Sequence, residues 1–175
     1  MLTTVTRKDL EALNDVSLIW TCIGPVIQQV RGKNFTIKSE AYAHLAPGQR
    51  ALFMFQVLYG HTSNGVEEFY LHQSYLLSNK GVWSQLQKGM KYFKDYAMVR
   101  ILEKMETVFQ SLQTEEFKEN AEQYNALVTE IDKDVELSAL MRCLNESFRD
   151  ALPLSIKLVA AYIRDHAEEF VQFSD

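Results

Sequence analysis

The sequence has few of the residues that build turns, cross-links or membrane spans. Seven glycines and three prolines among 175 residues leave little material for the turns of a many-stranded β protein. The two cysteines, Cys22 and Cys143, form no CxxC pair of the kind that indicates a zinc or redox site. Each lies in an apolar helical stretch, so we expect two buried thiols and a reducing compartment. The longest strictly apolar run, Ala51 to Phe55, is far below the ~20 residues that a membrane span needs.

Signatures of catalysis and of secretion are also missing from the sequence. There is no glycine-rich phosphate loop and no GxSxG nucleophile motif. Acidic residues interrupt the N-terminal stretch at Asp9, Glu11 and Asp15, where a secretory signal has an apolar core. We therefore expect a cytoplasmic, non-enzymatic protein that needs no cofactor and no metal ion.

One alternative is a pocket for a small molecule or for catalysis near His61 and His72. Glu68 and His72 have the i, i+4 spacing that could supply two metal ligands, and Glu67 lies beside them. His61 and His72 would lie about 16 Å apart if one helix spanned them, which is too far for one metal ion. A metal site is therefore not expected, but a pocket lined by these residues stays open as the second hypothesis.

Composition favours an all-α fold. Apolar residues make up 47% and charged residues 23% of the chain, as in soluble globular proteins. Leu, Glu, Lys, Gln and Ala suit helices, and no segment shows convincing period-2 alternation between hairpin turns. We expect a single compact domain over residues 1–175, with about seven to nine helices and negligible strand content.

In the first half of the chain, apolar periodicity and turn residues predict the helices. The Arg7 to Val30 segment has the helical period, but Pro25 predicts a kink or a restart, hence two short helices or one bent one. A brief helix is expected over Ser39 to Leu45. Pro47 suits the first turn of the next helix, Gln49 to Tyr59, which is apolar nearly all round and is therefore expected at the centre of the domain.

The second half repeats this pattern with more acidic residues. Asp95 is expected to start the clearest helix, Asp134 to cap a later one, and Pro153 to open the last one. The expected helical segments are Val82 to Phe93, Asp95 to Leu112, Thr114 to Ile131, Asp134 to Phe148 with Leu137 and Leu140 inward, and Pro153 to Phe170.

Charge is unevenly distributed along the chain, whose net charge is -5. Residues 1–100 contain 11 Lys and Arg against 7 acidic residues, whereas residues 101–175 contain 7 against 16. The densest acidic run consists of Glu115, Glu116, Glu119, Glu122, Glu130, Asp132, Asp134 and Glu136. This run is either a solvated helix face or a negative surface that binds a basic partner. Direct binding of nucleic acid or of a membrane is not expected of so acidic a chain.

Two blocks of the sequence resemble a known family. The stretch LAPGQRALFMFQVLYGHTSNGVEEFY, residues 45–70, resembles the opening block of the bacterial DNA-mimic protein domain family, a former domain of unknown function. The stretch LNESFRDALPLSIKLVAAYIRDHAEEF, residues 144–170, resembles its closing block. At the turn, Ser63 and Val66 replace an Asn and a Gly of the pattern.

The resemblance implies an all-helical, cytoplasmic, often dimeric protein. The best-known member of that family uses an acidic surface to occupy the DNA-binding face of a transcription factor, whereas most relatives have no assigned role. The resemblance implies no catalytic residues. Gln49, Arg50, Asn64 and Gly65 are expected to hold a helix junction rather than to perform chemistry. The sequence therefore favours an interaction protein that binds a basic partner, such as a transcription regulator, through the acidic run.

Overall fold

The computed structural model describes residues 2–60, 80–112 and 133–174. Within these ranges the chain forms seven helices: α1 Arg7–Ala12, α2 Asp15–Val30, α3 Phe35–Ala43, α4 Pro47–Gly60, α5 Lys80–Tyr92, α6 Tyr96–Leu112 and α7 Val135–Asp165. A 3₁₀ turn, Ala167–Glu169, follows α7, and the two strands are β1 Thr3–Val5 and β2 Val171–Phe173. The all-α prediction is confirmed. None of the helices in these ranges combines the length and the hydrophobicity needed to cross a bilayer.

Side-chain caps explain where most of these helices begin. Asn14 Oδ1 accepts a hydrogen bond from the backbone N–H of Ser17, and Asn34 Oδ1 accepts one from Ile37, at 2.9 and 3.0 Å. Asp95 Oδ1 caps α6 through the N–H of Met98 at 3.0 Å, as its position predicted. Each cap satisfies a backbone donor that the first turn of a helix leaves without a partner.

The break in the first helical segment lies earlier than expected. The sequence predicted a kink or restart at Pro25, but α2 continues through this proline and the chain breaks before Asp15, where Asn14 caps the new helix. Pro25 is exposed, while residues on both sides of it, such as Cys22 and Val26, are buried in one core. Burial on one continuous face offsets the missing backbone hydrogen bond.

The helix expected over Ser39 to Leu45 begins four residues earlier, because Asn34 caps it and it runs as Phe35–Ala43. In contrast to the other long helices, α3 has no fully buried residue. Because no side of α3 is fully buried, its apolar residues do not follow the helical period, and the sequence indicated poorly where this helix starts.

Pro153 was wrongly predicted to open the final helix. The segments assigned to two helices form one, α7, which spans 31 residues from the Asp134 cap to Asp165. Pro153 lies exposed in its interior. Leu140, predicted inward, is 45% exposed, because neighbouring Met141 and Leu144 turn the buried face of α7 away from it.

One hydrophobic core holds the described helices together. At its centre lies α4, as predicted, with Leu52, Phe55 and Leu58 essentially inaccessible to solvent. It packs between α2 and α5, while α7 crosses both α2 and α6. The buried apolar positions on α4 point in every direction, which is why the helix has neighbours on several sides.

The chain termini meet in a small parallel sheet that the sequence did not predict. Thr3 pairs with Val171, Thr4 with Gln172 and Val5 with Phe173. The guanidinium of Arg7 lies 4.2 Å from the centre of the Phe173 ring. The sheet places the end of α7 beside the start of α1.

Candidate functional site

Of the eight acidic residues predicted as a partner surface, Asp134 and Glu136 lie within the described residues. Both are exposed at the N-terminus of α7. Asp134 Oδ1 accepts hydrogen bonds from the backbone N–H groups of Glu136 and Leu137, each at 3.0 Å. The two carboxylates sit at the positive end of the helix dipole, so they stabilise α7 whatever else they do. The other six, Glu115, Glu116, Glu119, Glu122, Glu130 and Asp132, lie outside the described residues.

Along α7 itself, acidic and basic residues alternate. Its acidic residues are Glu136, Glu146, Asp150 and Asp165, and its basic residues are Arg142, Arg149, Lys157 and Arg164. Positive and negative side chains of equal number produce no strong field of one sign. The described length of α7 is therefore not a carboxylate ridge.

The two family-like blocks meet in the structure at Gly48, on the second residue of α4. An added Cβ at Gly48 would lie 2.6 Å from Glu169 Oε2, 3.1 Å from Phe170 Cζ and 3.2 Å from the Tyr92 hydroxyl oxygen. The Tyr92 hydroxyl donates a hydrogen bond to Glu169. Burial, together with this hydrogen bond, raises the pKa of Tyr92 above its usual value. A Cβ at this position would therefore displace the Glu169 carboxylate and press on Phe170 where α4 approaches the segment that follows α7.

The neighbouring motif residues Gln49 and Arg50 hold the α3–α4 junction, as predicted. Gln49 Oε1 accepts a hydrogen bond from the backbone N–H of Ala46 at 3.3 Å. Arg50 Nη2 donates to the carbonyl of Ala43, the last residue of α3, at 2.6 Å. The corresponding prediction for Asn64 and Gly65 falls outside the described residues.

Arg164, from the YIR sequence of the closing block, ties α7 to the start of α2. Its Nη1 lies 2.8 Å from Asp15 Oδ1, and its Nη2 donates to the carbonyl of Leu13 at 3.1 Å. The pair is partly exposed, so it contributes little free energy by charge alone. Its main effect is to fix where the α1–α2 junction sits against α7.

The prediction of two buried thiols is half wrong. Cys22 is buried in the core, and burial raises the pKa of its thiol to about 12. Cys143 is exposed on α7, because the buried stripe passes through Met141 and Leu144 on either side of it. The Cys143 side chain is therefore accessible to solvent, whereas burial disfavours the thiolate of Cys22.

The residues of the pocket hypothesis, His61, Glu67, Glu68 and His72, lie outside the described residues. The described residues contain a shallow pocket of about 100 Å³ between α2, α4 and α7. It is lined by Val16, Ile19, Trp20, Phe55, Gln56, Tyr59 and Ile156. These lining residues supply an amide and a phenol but no carboxylate, imidazole or thiol. Within the described ranges, no three His, Cys, Asp or Glu residues lie close enough together to hold a metal ion.

One feature of the surface was missed by the sequence analysis. Phe35 and Ile37 on α3 are exposed and lie among Arg31, Lys33 and Lys38. A signal was present in the sequence, because no acidic residue occurs from Val16 to Ser39.

Comparison with known proteins gives one result. No curated protein and no solved structure matches the chain significantly. The family model described as DMP19-like protein matches residues 43–166. This match spans the α3–α4 junction, Gly48 and all of α7, including Arg164. The chain belongs to the DMP19-like protein family.

Proposed function

We propose that this protein acts without catalysis, by binding a basic protein such as a DNA-binding protein through the acidic run of residues 115–136. The observation that carries the proposal is the local excess of carboxylates in a member of the DMP19-like family: eight acidic residues against Lys118 and Lys133.

Electrostatics explains how such a run would select its partner. A DNA-binding protein presents lysines and arginines at positions that contact the phosphates of DNA. A row of carboxylates carries the same negative charge as those phosphates and can bind the same basic side chains. Complementary charge chiefly accelerates association, and this acceleration falls as salt screens the attraction. Binding would keep the partner from DNA, because both ligands would use the same basic face.

The residues of the family-like motifs have structural roles, and this supports the part of the proposal that excludes catalysis. Gly48, Gln49 and Arg50 pack and hydrogen-bond within the fold, as does Arg164. These residues hold α3, α4 and α7 together, so the family pattern does not require a catalytic explanation.

The test uses a partner captured by pull-down and compares two variants of equal charge change. In the first, Glu115, Glu116, Glu119 and Glu122 become Gln; in the matched control, the exposed residues Glu11, Glu40, Glu146 and Glu168 become Gln. We expect the first to slow association at low salt about tenfold and the control by far less. Stopped-flow or surface plasmon resonance at several salt concentrations measures both.

Equal slowing in the two variants would mean that only net charge matters, and unchanged association in the first would remove the acidic run from the interface. Circular dichroism of both variants verifies that the fold is intact.

A further inference from the structure

A second surface of opposite charge lies at the corner between α2 and α3. This corner, residues 31–38, has the sequence RGKNFTIK and contains three cations and no acidic residue. Arg31, Lys33 and Lys38 are all exposed. In the described ranges, no carboxylate lies within ion-pair distance of any of the three. In a chain with net charge -5, the corner is a local positive patch.

The fold makes the corner project from the core. Gly32 has φ of 71°, a left-handed conformation that turns the chain sharply after α2. The second half of α3 is anchored: the Tyr42 hydroxyl donates to Gln85 Oε1 at 2.9 Å, and the Tyr42 ring contacts Phe53. In the first half, every residue from Phe35 to Glu40 is exposed, whereas Ala41 and Tyr42 are partly buried.

Two large apolar side chains are exposed on this projecting half. Phe35 is 56% exposed and Ile37 is 42% exposed. At 3.6 residues per turn, Phe35 lies on the side of α3 on which Tyr42 packs, whereas Ile37 lies about 140° away from Tyr42 around the helix. Phe35 therefore extends the Tyr42 side of the helix beyond the core, and Ile37 adds a second exposed apolar side chain on another side of the helix.

Helix stability does not account for the placement of Lys38. This lysine lies near the start of α3, whose first turn has no acidic residue. Cations near the N-terminus of a helix are unfavourable because the helix dipole is positive there. The lysine and the dipole instead reinforce the positive potential around Phe35 and Ile37.

We propose that the corner of residues 31–38 is a docking site for an acidic segment of another protein, one that carries apolar side chains between its carboxylates. Protein interfaces commonly have an aromatic or Arg anchor at the centre and charged side chains at the rim, which is the arrangement here. The charge of the rim selects an acidic partner.

Extended anionic surfaces fit the corner less well. Three cations attract an anionic membrane only weakly, and two apolar side chains add too little for stable anchoring. A nucleic acid would need a longer basic track than these eight residues provide. The corner shares no residue with the acidic run, so this proposal is tested independently of the proposed function.

The test titrates the full chain with a fluorescein-labelled synthetic peptide of repeated Glu-Leu-Leu-Glu units. Anisotropy gives the affinity, and ¹⁵N–¹H spectra locate the contact. We expect shifts centred on residues 31–38, about fivefold weaker binding by Arg31→Gln/Lys33→Gln/Lys38→Gln, and a comparable loss in Phe35→Ala/Ile37→Ala. The matched control, Lys88→Gln/Lys104→Gln/Lys157→Gln, removes three exposed lysines elsewhere and should bind as the wild type does.

Failure of the peptide to bind, binding centred elsewhere, or equal losses in the corner and control variants would each overturn the proposal. Stronger binding to phosphatidylglycerol vesicles or to duplex DNA, with the same dependence on residues 31–38, would also overturn it and assign the corner to that ligand. All variants replace exposed side chains, and circular dichroism verifies their folding.

Discussion

At the scale of single residues, the family-like motifs are explained by close packing and backbone hydrogen bonding. Gly48 allows α4 to approach Glu169 and Phe170, whose positions are set by the turn after α7. Tyr92, from α5, completes the contact by donating to Glu169. The packing of α4 against α5 and against the turn after α7 thus depends on the small size of the residue at position 48.

Gly48→Ala should destabilise the protein by about 1–3 kcal/mol, because the new Cβ displaces the Glu169 carboxylate from Tyr92 and presses on Phe170. In a Glu169→Ala background, the cost should fall by about 1 kcal/mol, since the nearest atom is gone. Urea denaturation of the four proteins in this double-mutant cycle measures both values.

The control is Gly60→Ala, at the end of the same helix, where the nearest atom to an added Cβ is Gln56 Nε2 at 3.8 Å. Alanine there should be neutral or slightly stabilising. A Gly48→Ala variant as stable as the Gly60→Ala one would show that the contact is loose.

At the scale of elements, the three prolines have two different roles. Pro47 occupies the first position of α4, where its missing N–H removes no helical hydrogen bond. Pro25 and Pro153 lie inside α2 and α7, where each removes one. Both are exposed, so tertiary packing on the opposite side keeps each helix continuous.

Pro153→Ala should therefore stabilise the protein by about 1–3 kcal/mol, because it restores a backbone donor and a residue of high helix propensity to the interior of α7. Pro47→Ala is the matched control and should change stability by less than about 0.5 kcal/mol. Thermal denaturation compares them. Destabilisation by Pro153→Ala would show that α7 needs proline at this position.

At the scale of the whole molecule, the pairing of β1 with β2 joins the two ends of the described chain. Val171 is buried, and the backbone N–H of Ser174 donates to the carbonyl of Val5 at 3.0 Å. A two-stranded sheet is marginal by itself, so this one depends on the helices that it packs against.

Deleting residues 171–175 should free the N-terminal segment. We expect the amides of Thr3 to Val5 that bond to β2 to exchange with deuterium about tenfold faster or more, while those of α4 keep their protection. Deleting only Asp175 leaves every strand pair in place and is the control. Unchanged exchange at Thr3 to Val5 in the longer deletion would show that β1 is held by other contacts.

Part of this structure could be predicted from the sequence because it depends on interactions between residues a few positions apart. The buried α4 and the start of α6 at Asp95 follow from apolar periodicity and from a capping side chain, both of which involve residues a few positions apart. The all-α class and the family resemblance rest on such local patterns. So does the uneven charge, although a charge count does not show which face of the fold the charges share.

Tertiary structure alone decided the features that depend on contacts distant in sequence. Whether α2 and α7 pass through their prolines depends on a core that buries both halves of each helix. The exposure of Cys143 and of Phe35 depends on which helix faces find neighbours, and the periodicity of one helix cannot show where its partners lie. The Gly48–Glu169 contact and the pairing of the termini unite segments from opposite ends of the sequence, because their atoms become neighbours only after the helices have packed.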